Sequence, residues 1–154
     1  MPVTAIACKG EPALQDDFTI EVVSWQSHNS QLKMIREQVF ILEQQVPVEL
    51  EWDGLDETAQ HLLALNKAGD AIGCARIIGD GSIGRMAVLK PWRGMGVGTA
   101  LLNAAIAYYH QQGVKTVTLS AQLHAVSFYV KAGFEVCSEP YLDANILHVD
   151  MRLK

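Results

Sequence analysis

The chain is poor in cysteine, with only Cys8, Cys74 and Cys137 among 154 residues. An odd, scattered set without metal-type spacing excludes a disulfide scaffold and points to buried thiols in a reducing compartment. Long apolar runs are missing as well. None approaches the roughly 20 residues a membrane-spanning helix requires, and the N-terminus lacks the basic-then-apolar order of a secretory signal. These absences predict a cytoplasmic protein with no membrane partner. Positive charge is scarce, 12 Lys and Arg against 17 Asp and Glu, for a formal charge of −5. Nucleic acid is therefore excluded as the main partner, since phosphate backbones recruit clustered Lys and Arg. The scarcity is sharpest between Arg36 and Lys67, where no Lys or Arg occurs while Glu37, Glu43, Glu49, Glu51, Asp53, Asp56 and Glu57 accumulate. That run reads as a solvated surface or as an electrostatic funnel for a cationic, amine-bearing substrate.

What is present suits one ordinary globular domain, long enough to bury roughly two-thirds of its unfolded surface. Residues 1–17, with Pro2, Gly10 and Pro12 and no periodicity, read as a flexible leader before a domain at 18–154. Phe18 to Ser24 alternates like a strand, Ser27-His28-Asn29-Ser30 reads as a turn, and Gln31 to Gln45 carries helical spacing with Ser30 as N-cap. Val48 to Gln60 reads as a polar loop with at most one helical turn. His61 to Asn66, Ala71 to Ile78 and Ile83 to Val88 follow as strands, and their short turns imply an antiparallel meander. Thr99 to Gln112 is an amphipathic helix that Gly113 ends, Lys115 to Ser120 a strand, and Ala125 to Ala132 a helix closed by Gly133. Phe134 to Cys137 and Ile146 to Leu153 complete a mixed, mostly antiparallel sheet with helices on its faces, an α/β architecture. The passage from Ile83 to Ser120 predicts a right-handed parallel crossover, with a ligand pocket at the Val88-to-Thr99 loop.

That loop holds Arg93-Gly94-Met95-Gly96-Val97-Gly98 between a strand and a helix. Small residues let a ligand approach the backbone, and a helix start offers free N–H donors and a partial positive charge. The combination is an anion cradle, suited above all to phosphate, with Arg93 placed to hydrogen-bond a diphosphate. Two rival glycine motifs fail. Gly79-Asp80-Gly81-Ser82-Ile83-Gly84 spells the dinucleotide fingerprint but is followed by a strand instead of a helix, so it is a hairpin turn. A P-loop needs a lysine before its Ser or Thr, and Gly98 is followed directly by Thr99.

Met86-Ala87-Val88 with the Arg93-to-Gly98 turn, the segment Ala125-Val126-Ser127-Phe128-Tyr129-Val130-Lys131-Ala132-Gly133-Phe134, and the strand order together resemble the GCN5-related N-acetyltransferases, the GNAT superfamily. The resemblance covers about residues 31–154. Val39 to Pro47, then Glu51-Trp52-Asp53-Gly54, Asp56 and His61, resemble its bacterial ElaA/YjcF-like group. The resemblance implies a GNAT-like single domain with a central parallel splay. It implies acetyl-CoA as acyl donor, its diphosphate on the amides of Arg93, Gly94, Met95, Gly96, Val97 and Gly98 at the start of the helix with Thr99. The pantetheine would run beside Met86, Ala87 and Val88 by strand addition, with a strand amide as oxyanion donor. Tyr129 matches the family's general acid toward the departing thiolate. Gln122 stands where many members have asparagine, which alters the detail of one cofactor contact.

The acceptor implied is a small-molecule amine or an exposed amino group. It must lose a proton before attack, so a carboxylate or histidine has to be near. Glu43 and His61 rank first, as groups at a helix end and a strand start, ahead of Glu51, Asp53, His124 and His148. No metal is expected, because the histidines lack ligand spacing, and Cys74 and Cys137 among apolar neighbours argue against an acyl-cysteine route. Trp25, Trp52 and Trp92 suit a pocket or an interface, a homodimer included. A non-catalytic acyl-CoA sensor with the same fold is the rival reading.

Overall fold

Period-two apolar patterning and tight turns build most of the molecule. The computed structural model describes residues 17–153; Cys8 and the leader up to residue 16 lie outside the described residues. Strands β1 (Phe18–Ser24), β2 (Gln60–Asn66), β3 (Ala71–Ile78) and β4 (Ser82–Val88) pair antiparallel in sequence order. The β2–β3 turn is closed by the Asp70 amide donating to Asn66 Oδ1 at 2.9 Å, with Gly69 at φ 87°. The β3–β4 turn needs its glycine for space as well as for backbone freedom. Gly81 lies at φ 104°, and a Cβ there would sit 2.3 Å from the Thr116 carbonyl oxygen.

β5 (Thr118–Gln122), β6 (Phe134–Val136), β7 (Tyr141–Asp143) and β8 (Ile146–Leu153) complete one sheet ordered β1-β2-β3-β4-β5-β8-β6, with β7 also on β8. β7 is not legible in the sequence, because three residues are too short for alternation to register. β5 begins at Thr118, later than Lys115, and extends to Gln122. The one parallel pair, β4 with β5, is joined only at Ser82–Thr118 and Ile83–Leu119. Beyond Ile83 the two strands diverge, and among the described residues β4 from Gly84 to Val88 has no strand partner on that side.

Alternation, interrupted by a register shift of β2 on β3 beside Ile72, sends Leu62, Ala64, Ile72, Ala75 and Ile77 to one face, where α3 (Val97–Gln111) covers them with Leu101, Leu102, Ala105 and Tyr109. Leu63, Ala71, Cys74 and Ala87 point to the other face, against Leu32, Ile35 and Val39 of the first helix. Each large apolar side chain, fully buried, contributes about 1.5–3 kcal/mol. The first helix corrects the reading of residues 27–45. α1 runs Trp25–Arg36, its N-cap is Ser24, whose Oγ accepts the Ser27 amide at 3.1 Å, and Ser30 lies inside it. The expected turn is only a kink at His28 (φ −135°, ψ 24°). The helix widens into π geometry over Glu37–Glu43, and one turn, α2 (Val48–Glu51), follows Pro47. α4 (Val126–Lys131) packs on β6 and β5. No helix among the described residues is long and apolar enough to cross a membrane. Cys74 is buried but Cys137 is exposed, one residue past β6, which corrects the expectation that both are interior.

Candidate active site

The site has three connected parts: an amide cradle, a furrow in the sheet and a cavity. In the cradle, Gly94 and Gly96 sit at φ 78° and 89°, and Gly96 is the N-cap of α3. A left-handed backbone costs an L-residue about 1–2 kcal/mol, which accounts for both glycines. Their turn leads straight into the helix start, whose first amides have no acceptor within the helix. Among the described residues, no backbone hydrogen bond outside α3 engages the amides from Gly94 to Thr99. Arg93 differs. Its amide donates to the Lys90 carbonyl at 3.2 Å, so the open donors begin at Gly94. A cavity of about 360 Å³ lies over this turn, lined by Val88, Trp92, Thr99 and Phe128 as well as its glycines.

The Arg93 side chain is not poised for an anion either. Its guanidinium grips both oxygens of Glu43 at 2.6 and 2.8 Å and donates through Nε to the Val88 carbonyl at 2.9 Å. The pair is exposed on both sides, 40% and 36%, and contributes about 0–1 kcal/mol. Glu43 is thus a partner of Arg93, and that hydrogen bond holds its carboxyl below the ordinary range, which weakens it as a base. His61 is 1% exposed, its ring 5.5 Å from Trp25 and its Nε2 3.0 Å from the Asp56 carbonyl. Burial lowers its pKa, and it lines neither cavity. The structure therefore does not bring the two first-ranked base candidates to the reacting position.

The furrow between β4 and β5 opens into a second cavity of about 450 Å³, walled by Met86, Gln122, Tyr129, Ser120 and His148 among others. Tyr129 lies edge-on to Phe128 and Phe134 at 5.0 and 6.0 Å between ring centroids, with its hydroxyl 3.9 Å from Met86 Sδ. Burial pushes its phenol up to about 12, so it stays protonated at neutral pH. Gln122 donates to Gln44 Oε1 at 2.8 Å across the cavity wall. His148 Nδ1 lies 2.7 Å from the Ile146 carbonyl, which fixes the proton on Nδ1. Cys74 is fully buried with its thiol pushed to about 12, so it is no nucleophile at neutral pH.

Only part of the acidic run is a solvated face, and it is no open funnel. Glu37, Glu49 and Glu57 are exposed, but Glu51, Asp53 and Asp56 turn onto Arg36, Arg76 and Arg85. Arg36 bonds Glu51 Oε2 at 2.8 Å and Asp56 Oδ1 at 2.6 Å. Its guanidinium lies 4.9 Å from the Trp52 ring. Arg76 bonds Asp53 and Asp56, and Arg85 reaches Asp53 Oδ2 at 3.1 Å. Burial pushes the Asp53 carboxyl up, but the Arg76 hydrogen bond, the Leu55 amide and both arginine charges outweigh it and bring it to about 2. Arg85 sits at a bulge in β4, where the pairing of β3 and β4 shifts between Cys74 and Arg76. Its φ of 50° is unusual for a residue with a side chain. Sequence reasoning missed this network because its arginines come from three separate elements, α1, β3 and β4, each distant along the chain from the carboxylates it meets.

A strand-splayed mixed sheet with an amide cradle at the head of its crossover helix defines an N-acetyltransferase fold. The chain belongs to the GNAT family: the model of the acetyltransferase (GNAT) domain matches residues 19–154. Its relatives include a Bacillus subtilis protein named "Uncharacterized N-acetyltransferase YjcF", 34% identical over 151 residues and 96% of each chain. Escherichia coli ElaA is 30% identical over 147 residues, covering 84% of this chain and 95% of that one. The crystal structure of ElaA superposes with a TM-score of 0.78 over 89% of this chain and 99% of its own. An acyl-CoA N-acyltransferase from Pseudomonas aeruginosa gives 0.76 at 30% identity, over 90% and 99%.

Proposed function

We propose that the protein transfers an acetyl group from acetyl-CoA to a primary amine by direct attack in a ternary complex. The observation that carries this is the placement of the open Gly94-to-Thr99 amides after one end of β4 and of the Tyr129 cavity beside Met86 of the same strand, with β4 unpaired toward β5 between them among the described residues. The residues fit the donor. Consecutive open amides at a helix start suit a diphosphate, and the open β4 edge at Met86 suits the amides of a pantetheine arm, whereas Ala87 pairs with Cys74 of β3. Val88 contributes less, because its carbonyl already accepts from Arg93. Gln122 borders the thioester end.

At that end a β4 amide polarises the thioester carbonyl. The amine nitrogen attacks the carbonyl carbon, a C–N bond forms, and the C–S bond breaks as Tyr129 gives its proton to sulfur. Of the two protons the ammonium nitrogen loses overall, one ends on the thiol and the other in solvent. Burial lifts the Tyr129 phenol to about 12, so it holds a proton to give at neutral pH. Glu43 and His61 hold structure in this reading. Calorimetry with acetyl-CoA, then thiol release across an amine panel, tests it. Failure to bind any acyl-CoA removes the proposal, and binding without thiol release from any amine favours an acyl-CoA sensor.

A further inference from the structure

We infer that the acceptor is a free amino acid, recognised by its ammonium and carboxylate together on Glu51 and Arg85. The inference rests on the acyl-transfer reading above and concerns the acceptor side of the same cavity. Both residues line that cavity. Glu51 is 2% exposed. Its Oε2 is held by Arg36 at 2.8 Å and lies 3.0 Å from Arg85 Nε, without the alignment of a hydrogen bond. Among the described residues no hydrogen bond reaches its Oε1, yet that atom is not sealed from the surface. A buried carboxylate that lines the cavity thus keeps one oxygen without a hydrogen bond among the described residues.

Arg85 is its complement. Nη2 donates to the carbonyls of Leu50 and Glu51 and to Asp53 Oδ2 at 3.0–3.2 Å, which leaves Nη1 without a hydrogen bond among the described residues, on a side chain that lines the cavity. The left-handed backbone at the β4 bulge sets this side chain beside Glu51. An acceptor oxygen and a guanidinium donor are therefore adjacent, anchored by the Glu51–Arg85 contact itself. An α-amino acid carries the matching groups on a single carbon, an ammonium for Glu51 Oε1 and a carboxylate for Arg85 Nη1. Charge points the same way. Arg36, Arg76 and Arg85 balance Glu51, Asp53 and Asp56, so the network sums to zero and is matched by a zwitterionic head group rather than by a polycation.

The test uses the whole chain loaded with acetyl-CoA and the standard protein amino acids, each beside its amide, its decarboxylated amine and, separately, linear polyamines. Expected is thiol release with at least one amino acid, and a loss of about tenfold or more in kcat/KM for its amide and its decarboxylated amine, as for a lost charge-assisted hydrogen bond. In Arg85→Gln that preference should shrink toward parity. Equal or better turnover of the amides, decarboxylated amines or polyamines overturns the inference. So does an acetyl-CoA-bound protein that neither acetylates nor binds, by calorimetry, any free amino acid. Loss of acetyl-CoA binding itself is a different failure, and it falls on the acyl-transfer reading. The comparison is made within the unaltered protein, so it holds whether or not Arg85→Gln folds.

Discussion

Tyr129 carries the chemistry in this reading, and its surroundings say how to test it. Among the described residues its hydroxyl has no strong acceptor, only Met86 Sδ at 3.9 Å, so Tyr129→Phe removes a proton donor with little loss of packing. We expect kcat to fall by about 10²-fold or more, while acetyl-CoA affinity measured by calorimetry changes little. Comparable losses in both would assign Tyr129 to packing. His61 calls for the opposite result. His61→Gln keeps a donor near the Asp56 carbonyl but disturbs a filled site, so the urea midpoint should fall by the equivalent of about 0.5–3 kcal/mol. The pH profile of kcat/KM should not move, and a shifted acid limb would restore His61 as a base.

At the scale of elements, two glycines with the same handedness of backbone separate geometry from space. A Cβ added at Gly96 would meet no atom within 4 Å, so Gly96→Ala incurs only the left-handed penalty of about 1–2 kcal/mol. It should also weaken acetyl-CoA binding several-fold, because the strained residue caps the helix whose amides form the cradle. Gly81→Ala adds a collision with the Thr116 carbonyl at 2.3 Å and should destabilise more than Gly96→Ala in denaturant unfolding. Equal costs would mean that the β3–β4 turn can shift away from Thr116. The π-helical stretch Glu37–Glu43 also belongs to this scale: it places Phe40, with Gln44 just beyond it, at the cavity wall.

For the molecule as a whole, the charge network ties α1, α2 and the loop after it to β3 and β4, and so builds part of the wall of the larger cavity. Its carboxyls give an acid response with a defined sign. A carboxyl with a lowered folded pKa stabilises the fold above its unfolded value and loses that contribution as pH falls through the folded one. For Asp53 the window runs from about 3.8 down to about 2. Allowing for its partial exposure, about 1–2 kcal/mol should disappear across it. Urea unfolding at pH 7, 4 and 3 checks this, and Asp53→Asn should flatten the dependence in that interval. An unchanged slope would show that Asp53 does not carry it.

The sheet, both covering helices and the amide cradle are legible in the residues, because alternation, helical spacing and glycine placement are local properties. The hairpin turn from Gly79 to Ser82 is legible for the same reason. Ser30 passes for a helix cap because Ser24 and Ser30 look alike until tertiary packing decides which one begins the helix. The acidic run from Glu37 to Glu57 shows the larger limit: composition reveals its charge, but not that Arg36, Arg76 and Arg85 converge on it from three elements. Local pattern thus determined the strands, the covering helices and the glycine turn at the head of α3 from the sequence alone. Which carboxylates are neutralised was decided only by tertiary structure, since ion pairing falls off over a few ångströms and chain separation says nothing about that distance.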